Sequence, residues 1–409
     1  MEKVILLLST LDTKGPETLY LRDSIRSKGG NCLVLDMSMS GESLGADITS
    51  AETAQASGVD IQEIRLSRDR KKITRQMIGG AVKLAASFLL TGRLAGVIGL
   101  GGSTGSLMAT DVMRSLPFGV PKLMVSSTAA LPGLATRYIG TADIAVLHTV
   151  IEISGLSLPL LNLLDRAASA ITGMAQIPPL TVESARAKGK PLVAMSMFGP
   201  TEQCAHNVMQ CLEGRGYQVI GFSAAGVCDR AMEDMIASGF FDAVVDLAPG
   251  GVGEEILGGM RAAGPNRMTS AGKIGIPQVV APGGLNLTSP RKSHYKQEHY
   301  ERRKFDLDEL RTFLRLSDEE MVQVARVFAE KLNQASGPTI FLFPKRGWSA
   351  VDIPSSHMFD ENQDRLFLKI LKENLSDAID VREVDANLED EDFSKAVESA
   401  CRGIFPSVL

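Results

Sequence analysis

Cysteine is scarce and unorganised in this chain. Five occur among 409 residues (Cys32, Cys204, Cys211, Cys228 and Cys401), with no Cys-x-x-Cys spacing. That excludes a disulfide framework and a zinc knuckle. The five histidines form no His-x-His or His-x-x-x-His pair, so a histidine-built metal site is not expected. Aromatic residues make up 5% and include a single tryptophan. No apolar run reaches the roughly 18 residues of a membrane span. No signal or transit peptide precedes the first strand, so the expected compartment is the cytoplasm. An excess of positive charge is missing too: the net charge of −5 and pI near 5.7 argue against nucleic-acid binding through bulk charge. No Gly-Lys-Ser/Thr closes a Walker A loop, no Gly-x-Gly-x-x-Gly marks a hydride-cofactor site, and no nucleophile elbow is read.

Glycine, by contrast, is plentiful: 39 residues, many at the junctions where apolar runs give way to helical patterns. Val4–Leu8, Cys32–Asp36, Ala95–Leu100 and Pro121–Ser126 read as buried strands, alternating with helices over 16–28, 69–91, 106–116 and 156–174. The scheme restarts at Pro191, with strands near 191–197, 218–222, 243–247, 278–281 and 339–343. The length suits two domains. The expectation is an α/β chain of two doubly wound, mostly parallel domains: an N-terminal nucleotide-binding domain over 1–176, a proline-marked linker over 177–190 and a second domain over 191–409. Two segments stand apart in charge. Residues 288–304 carry six Lys or Arg, and residues 373–398 carry ten Asp or Glu, read as a solvated helix face and loop.

Two strand-to-helix turns carry the chemistry. Gly101-Gly102-Ser103-Thr104-Gly105 removes side chains where backbone must approach an anion and adds two hydroxyls. Thr10, Asp12 and Lys14 line the turn after the first strand. A turn entering a helix offers backbone N–H groups at the positive end of a dipole, which suits phosphate or carboxylate oxygens. The bland readings are a tight packing turn for the glycines and an N-cap for Asp12 or Thr13. Ser127 and Thr128 end a third strand, and Asp143 follows Gly140-Thr141. In an open parallel sheet such ends converge on one crevice. The second half ends its strands in Gly199-Pro200-Thr201, Ala225-Gly226, Pro249-Gly250-Gly251 and Pro282-Gly283-Gly284, without carboxylate pairs. Cys204 and His206 sit too close in sequence at a helix start to face one another. Trp348 is read as core or interface.

Laid out in order, Thr10-Leu11-Asp12-Thr13-Lys14 with Glu17, Gly99 to Gly105, Leu116 to Lys122, Ser126-Ser127-Thr128-Ala129, Tyr138 to Ile144, Met197-Phe198-Gly199, Leu212 to Tyr217 and Ala231-Met232-Glu233 carry a resemblance over nearly the whole chain. The sequence resembles the ATP-binding domain family of the tomato mosaic virus resistance protein and its bacterial relatives. The resemblance implies two Rossmann-like subdomains, ATP binding and a homodimer, and passes on no catalytic residue. Where relatives usually read Phe-His-Ala-Thr-Gly, this chain has Phe222-Ser223-Ala224-Ala225-Gly226. A Thr-rich turn of relatives is Leu247 to Gly251 here, and their Arg-Thr-Thr run is Leu314-Arg315-Leu316-Ser317. Any activity requiring that histidine is expected to be changed or lost.

The functional expectation is an ATP-binding protein. Gly101, Gly102, Ser103, Thr104 and Gly105 would hold phosphates, flanked by Thr10, Asp12 and Lys14 and closed by Ser127 and Thr128, with Asp143 also among the cofactor-binding residues and Mg²⁺ as an optional companion. The other class considered is an enzyme on a phosphorylated or carboxylated metabolite in an interdomain cleft, using Arg291, Lys292, His294 and Asp143. Neither class calls for nucleic acid or membrane as a partner.

Overall fold

Val-Ile-Leu-Leu-Leu-Ser at positions 4–9 has no polar face, and such a strand is stable only when covered on both sides. The computed structural model of the chain describes residues 2–41, 44–186, 189–309 and 311–408. It buries all six residues of this strand, β1 (Val4–Ser9). The chain divides into two units, Met1–Thr181 and Val182–Leu409. The expected linker 177–190 straddles that boundary, with Val182–Arg186 helical and residues 187–188 outside the described residues.

In the first unit, β1, β2 (Cys32–Asp36), β3 (Leu94–Gly101), β4 (Lys122–Ser126) and β5 (Ala145–His148) form one parallel sheet in the order β2-β1-β3-β4-β5. The helices are α1 (Leu11–Ser27), α2 (Ser50–Ala56), α3 (Ile61–Leu66), α4 (Arg70–Leu90), α5 (Ser103–Arg114), α6 (Leu134–Ile139) and α7 (Leu158–Ala175). Strand alternation sends Leu6 and Leu8 to a core with Met77 and Ala81 of α4 and Met108 and Val112 of α5. Ile5 and Leu7 point the other way, onto Leu21 and Ile25 of α1 and Leu164 and Ile171 of α7. Helices leaving β1 and β3 therefore cover opposite faces. That divergence opens a crevice at the carboxyl ends of β1 and β3.

The second unit has six parallel strands and a small antiparallel sheet. In chain order they are β6 (Leu192–Met197), β7 (Gln218–Ser223), β8 (Ala243–Asp246), β9 (Gln278–Val280), β10 (Leu287–Thr288), β11 (Lys304–Asp306), β12 (Thr312–Arg315), β13 (Thr339–Pro344) and β14 (Asp380–Val384). The parallel order β14-β13-β9-β8-β6-β7 repeats the winding of the first unit with one strand more. Both units are thus Rossmann-like. The antiparallel order β10-β12-β11 has no counterpart in the strand pattern read from the sequence. Strands of two to four residues are too short to declare a period. The acidic tail is not simply solvated: the helix Glu391–Ile404 buries Phe393, Val397 and Cys401. Trp348 is core, edge-on to Phe343 and Phe367 with ring centres 5.8 and 5.0 Å away. No helix of the described residues is long and apolar enough to cross a membrane.

Two buried cations organise this unit. Arg267 bonds Asp229 at 2.9 Å and Asp246 at 2.5 and 2.8 Å, and lies 3.3 Å from Glu233. Arg315 meets Asp352 at 3.1 Å and also bonds Asp364. One arginine faces two buried carboxylates there, and burial pushes Asp364 up to about 7. The folded chain consequently keeps a proton that the unfolded chain releases near the ordinary carboxylate range. As pH rises from about 4 to about 7, wild type should lose stability relative to Asp364→Asn, and the gap should level off above that window. Denaturant unfolding of both proteins across this range reads the effect, and a constant gap would contradict it.

Candidate functional site

The register of the first sheet sets Ser9 beside Asp36, Gly101 beside Ser126, and Ser126 beside His148. The ends of five strands therefore share one edge, and the turns after β1 and β3 meet there. Thr10, Asp12, Thr13 and Lys14 line one cavity with Gly102, Ser103, Thr104 and Gly105. Its volume is about 240 Å³. Both turns read from the sequence thus lie on one pocket.

The two turns differ in what they offer. In the first, Leu11 N–H donates to Asp36 Oδ1 (3.1 Å) and Asp12 N–H to Ser38 Oγ (2.9 Å). The amides of Thr13 and Lys14 donate to the Thr10 carbonyl. The amides of Leu11 to Lys14 are all engaged, contrary to the expectation of two open turns, so this stretch contributes mainly side chains. Thr10 and Thr13 share a hydroxyl–hydroxyl bond of 2.9 Å. Asp12 accepts from the Ser40 amide at 3.1 Å. Lys14 is already committed: its ammonium donates to the Ile153 carbonyl and lies 3.5 Å from Glu152.

The second turn is open. Gly102 precedes α5 with no side-chain cap, and the amides of Ser103, Thr104 and Gly105 donate to no acceptor among the described residues. The Ser103 and Thr104 side chains are exposed and unbonded. The three glycines play different parts. A Cβ on Gly101 would sit 2.8 Å from Gly105 Cα, so Gly101 serves the close entry of α5 rather than a ligand. A Cβ on Gly102 would meet nothing nearer than Ser127 Oγ at 3.8 Å and Glu152 Oε1 at 3.9 Å. Ser127 Oγ is itself buried without a partner. Contrary to the expectation that no nucleophile elbow occurs, the pentad spells Gly-x-Ser-x-Gly. An elbow strains its serine, whereas only Val150 and Met268 among described non-glycine residues have positive φ. Ser103 is therefore an ordinary first helical residue.

The expected residues Ser127, Thr128 and Asp143 do not line this cavity. Thr128 is tied into a hydroxyl chain, to Tyr138 at 2.9 Å and to Ser126 at 3.3 Å, while Ser126 meets Ser106 at 2.7 Å. Asp143 precedes β5 and so occupies the opposite, amino edge of the sheet. There it accepts from the Lys122 ammonium at 2.6 Å and from the Gly119 amide at 2.8 Å. Lys122 is fully buried, and desolvation lowers its pKa. Asp143 is the counter-ion of Lys122 and does not line this cavity. Arg291, Lys292 and His294 are exposed on the second unit. Cys204 is buried, its thiol pushed up to about 12, which leaves it inert.

Sequence reasoning missed Arg70. Its side chain lines the same cavity and has no acidic partner among the described residues. The signal was present: Arg70, Lys71 and Lys72 open α4, at the helix end that repels cations by about 0.3–1 kcal/mol each. A neighbouring cavity of about 490 Å³ shares Arg70 and Thr104 with the first. It adds Lys71, Thr74, Arg75, Ile78, Leu107, Asp111 and Arg137.

Fold and site together describe a two-domain Rossmann-like protein with an open, glycine-lined crevice in its first domain. Residues 3–179 match the N-terminal domain of the uncharacterised protein family UPF0261, and residues 190–405 match its C-terminal domain. The chain belongs to this family. It is 34% identical over 402 residues to a UPF0261 protein of Clostridium tetani, covering 97% of this chain and 98% of that one. A UPF0261 protein of Rhizobium meliloti is 31% identical over 406 residues, covering 98% and 99%. The ToMV resistance protein Tm-1(GCR237) of Solanum lycopersicum is 33% identical over 303 residues, 70% of this chain and 40% of the tomato protein.

The geometry separates packing from binding residues. Gly101→Ala should cost about 1–3 kcal/mol through overpacking against α5. Asp143→Ala, which strands a buried ammonium, should cost about 3 kcal/mol. Gly102→Ala should cost less than about 0.5 kcal/mol, as at open surface sites. Urea unfolding of the three variants tests this ranking.

Proposed function

We propose that the first unit binds a nucleotide, ATP in the first instance, with its phosphates over the start of α5. The supporting observation is the row of unengaged amides at Ser103, Thr104 and Gly105, facing a polar cavity at the crevice between β1 and β3. Arg70, which has no acidic partner among the described residues, supplies a cation to the same cavity. The adjoining chamber combines the aliphatic walls of Ile78 and Leu107 with polar and charged groups, a lining suited to a base and ribose. Asp12 is the carboxylate on the phosphate side. One carboxylate plus nucleotide phosphates is a sufficient ligand set for Mg²⁺, so Asp12 would hold the ion that accompanies the nucleotide. The name of the tomato relative describes resistance to a virus in that plant, and this reading takes nothing from it.

Calorimetric titration of ATP into the full chain tests the proposal. Gly102→Val adds a branched side chain at a residue that lines the cavity and has open space for it. It should weaken binding by about tenfold or more without a large change in unfolding midpoint. Arg70→Ala should weaken it by about tenfold through loss of one charge-assisted contact. Wild-type affinity in both variants would refute this placement.

A further inference from the structure

The second unit holds a cavity of about 620 Å³ that the proposed nucleotide site does not use. Its floor is built where β6 and β7 end, at Phe198 and at Ser223 to Ala225. Its roof is the small antiparallel sheet, where Phe305 and Phe313 pair across β11 and β12. Phe198 and Phe313 meet edge to face at 5.6 Å. The walls are thus mainly apolar and aromatic.

Arg261 is set into this surface. Its guanidinium carbon lies 4.5 Å from the Phe198 ring centre and 5.2 Å from that of Phe313. Nε donates to Glu254 Oε1 at 2.9 Å. Nη2 is 2.8 Å from the same oxygen but off the line a hydrogen bond requires, and Nη1 has no acceptor among the described residues. Glu254 is meanwhile saturated, accepting from the Ser289 hydroxyl and amide (2.5 and 3.1 Å) and from Thr288 (3.4 Å). The Arg261 side chain is only 12% exposed. Nη2 is closed off beside Glu254, whereas Nη1 is the terminal nitrogen left open to a ligand acceptor in the cavity.

We propose that this cavity is a second ligand site, specific for a small monocarboxylate with an apolar planar or branched body. The carboxylate would accept from Nη1 of Arg261, and the body would lie among Phe198, Phe305 and Phe313. Charge limits the class. Glu254 offsets Arg261, and Arg311 at the rim is paired with Asp308, so a di- or trianion would be left uncompensated. The rim pair is exposed and worth about 0–1 kcal/mol, so Arg311 can turn to the entering anion at little cost.

Phenylacetate, 3-methylbutanoate and the neutral phenylacetamide are titrated calorimetrically into the full chain, wild type and Ala350→Trp. Ala350 is exposed on the cavity wall, so an indole there fills the space without entering the core. At least one acid should bind saturably, and the amide should bind about tenfold or more weakly than phenylacetate. Ala350→Trp should lose acid binding while keeping the wild-type affinity for ATP. Binding of neither acid at millimolar concentration overturns the proposal, as does equal binding of phenylacetate and its amide, which needs no variant. Undiminished acid binding in a folded Ala350→Trp protein overturns it too. ATP titration reads the other unit, so the two proposals fail separately.

Discussion

The parallel register of β1, β3 and β4 is the constraint on which the first unit's site depends. Hydrogen bonding fixes Gly101 beside Ser126 and Leu8 beside Gly99, so two turns far apart in sequence open onto one edge. A parallel sheet reaches this state only through crossover helices, and here α1 and α5 depart to opposite faces. Short polar bonds then lock the edge. The Ser9 hydroxyl donates to the Leu100 carbonyl at 3.2 Å, and Thr18 donates to Ser9 at 2.8 Å. At Gly101 the absence of a side chain lets α5 begin hard against its own strand.

Within that frame, one turn has been closed and the other left open. Asp36 and Ser38, delivered by the end of β2, consume the first amides of α1. Among the described residues nothing equivalent reaches α5. The free donors and Arg70, which has no acidic partner among the described residues, therefore line one 240 Å³ cavity, while Lys14 is spent on holding the segment after β5. An anion bound there relieves two penalties at once. It satisfies the start of α5, and it offsets the basic first turn of α4, which opposes that helix's dipole.

Much of this was legible in the sequence, because period and punctuation are local signals. The strands of the first unit, the glycine pentad and the Thr10 turn all rest on runs of a few residues. What depends on partners distant in the chain was not legible. The sequence offered Asp143 as a pocket residue, but it lies at the amino edge because Lys122, 21 residues earlier, needs a counter-ion there. Thr128 looked free, yet Tyr138 takes its hydroxyl. Arg70 was visible as part of a basic helix start, but its approach to the glycine turn follows from the packing of α4 and α5 on one face of the sheet. In the second unit the short strands β11 and β12 give no periodic signal, so the aromatic roof they build was not legible in the sequence.

The most direct measurement is the backbone amide spectrum of isotopically labelled full-length protein during ATP addition. The account predicts saturable shifts centred on Ser103, Thr104 and Gly105, with the already bonded amides of Leu11 and Asp12 much less affected. Saturation by ATP with those three resonances unmoved, or no response anywhere in the first unit, would contradict it.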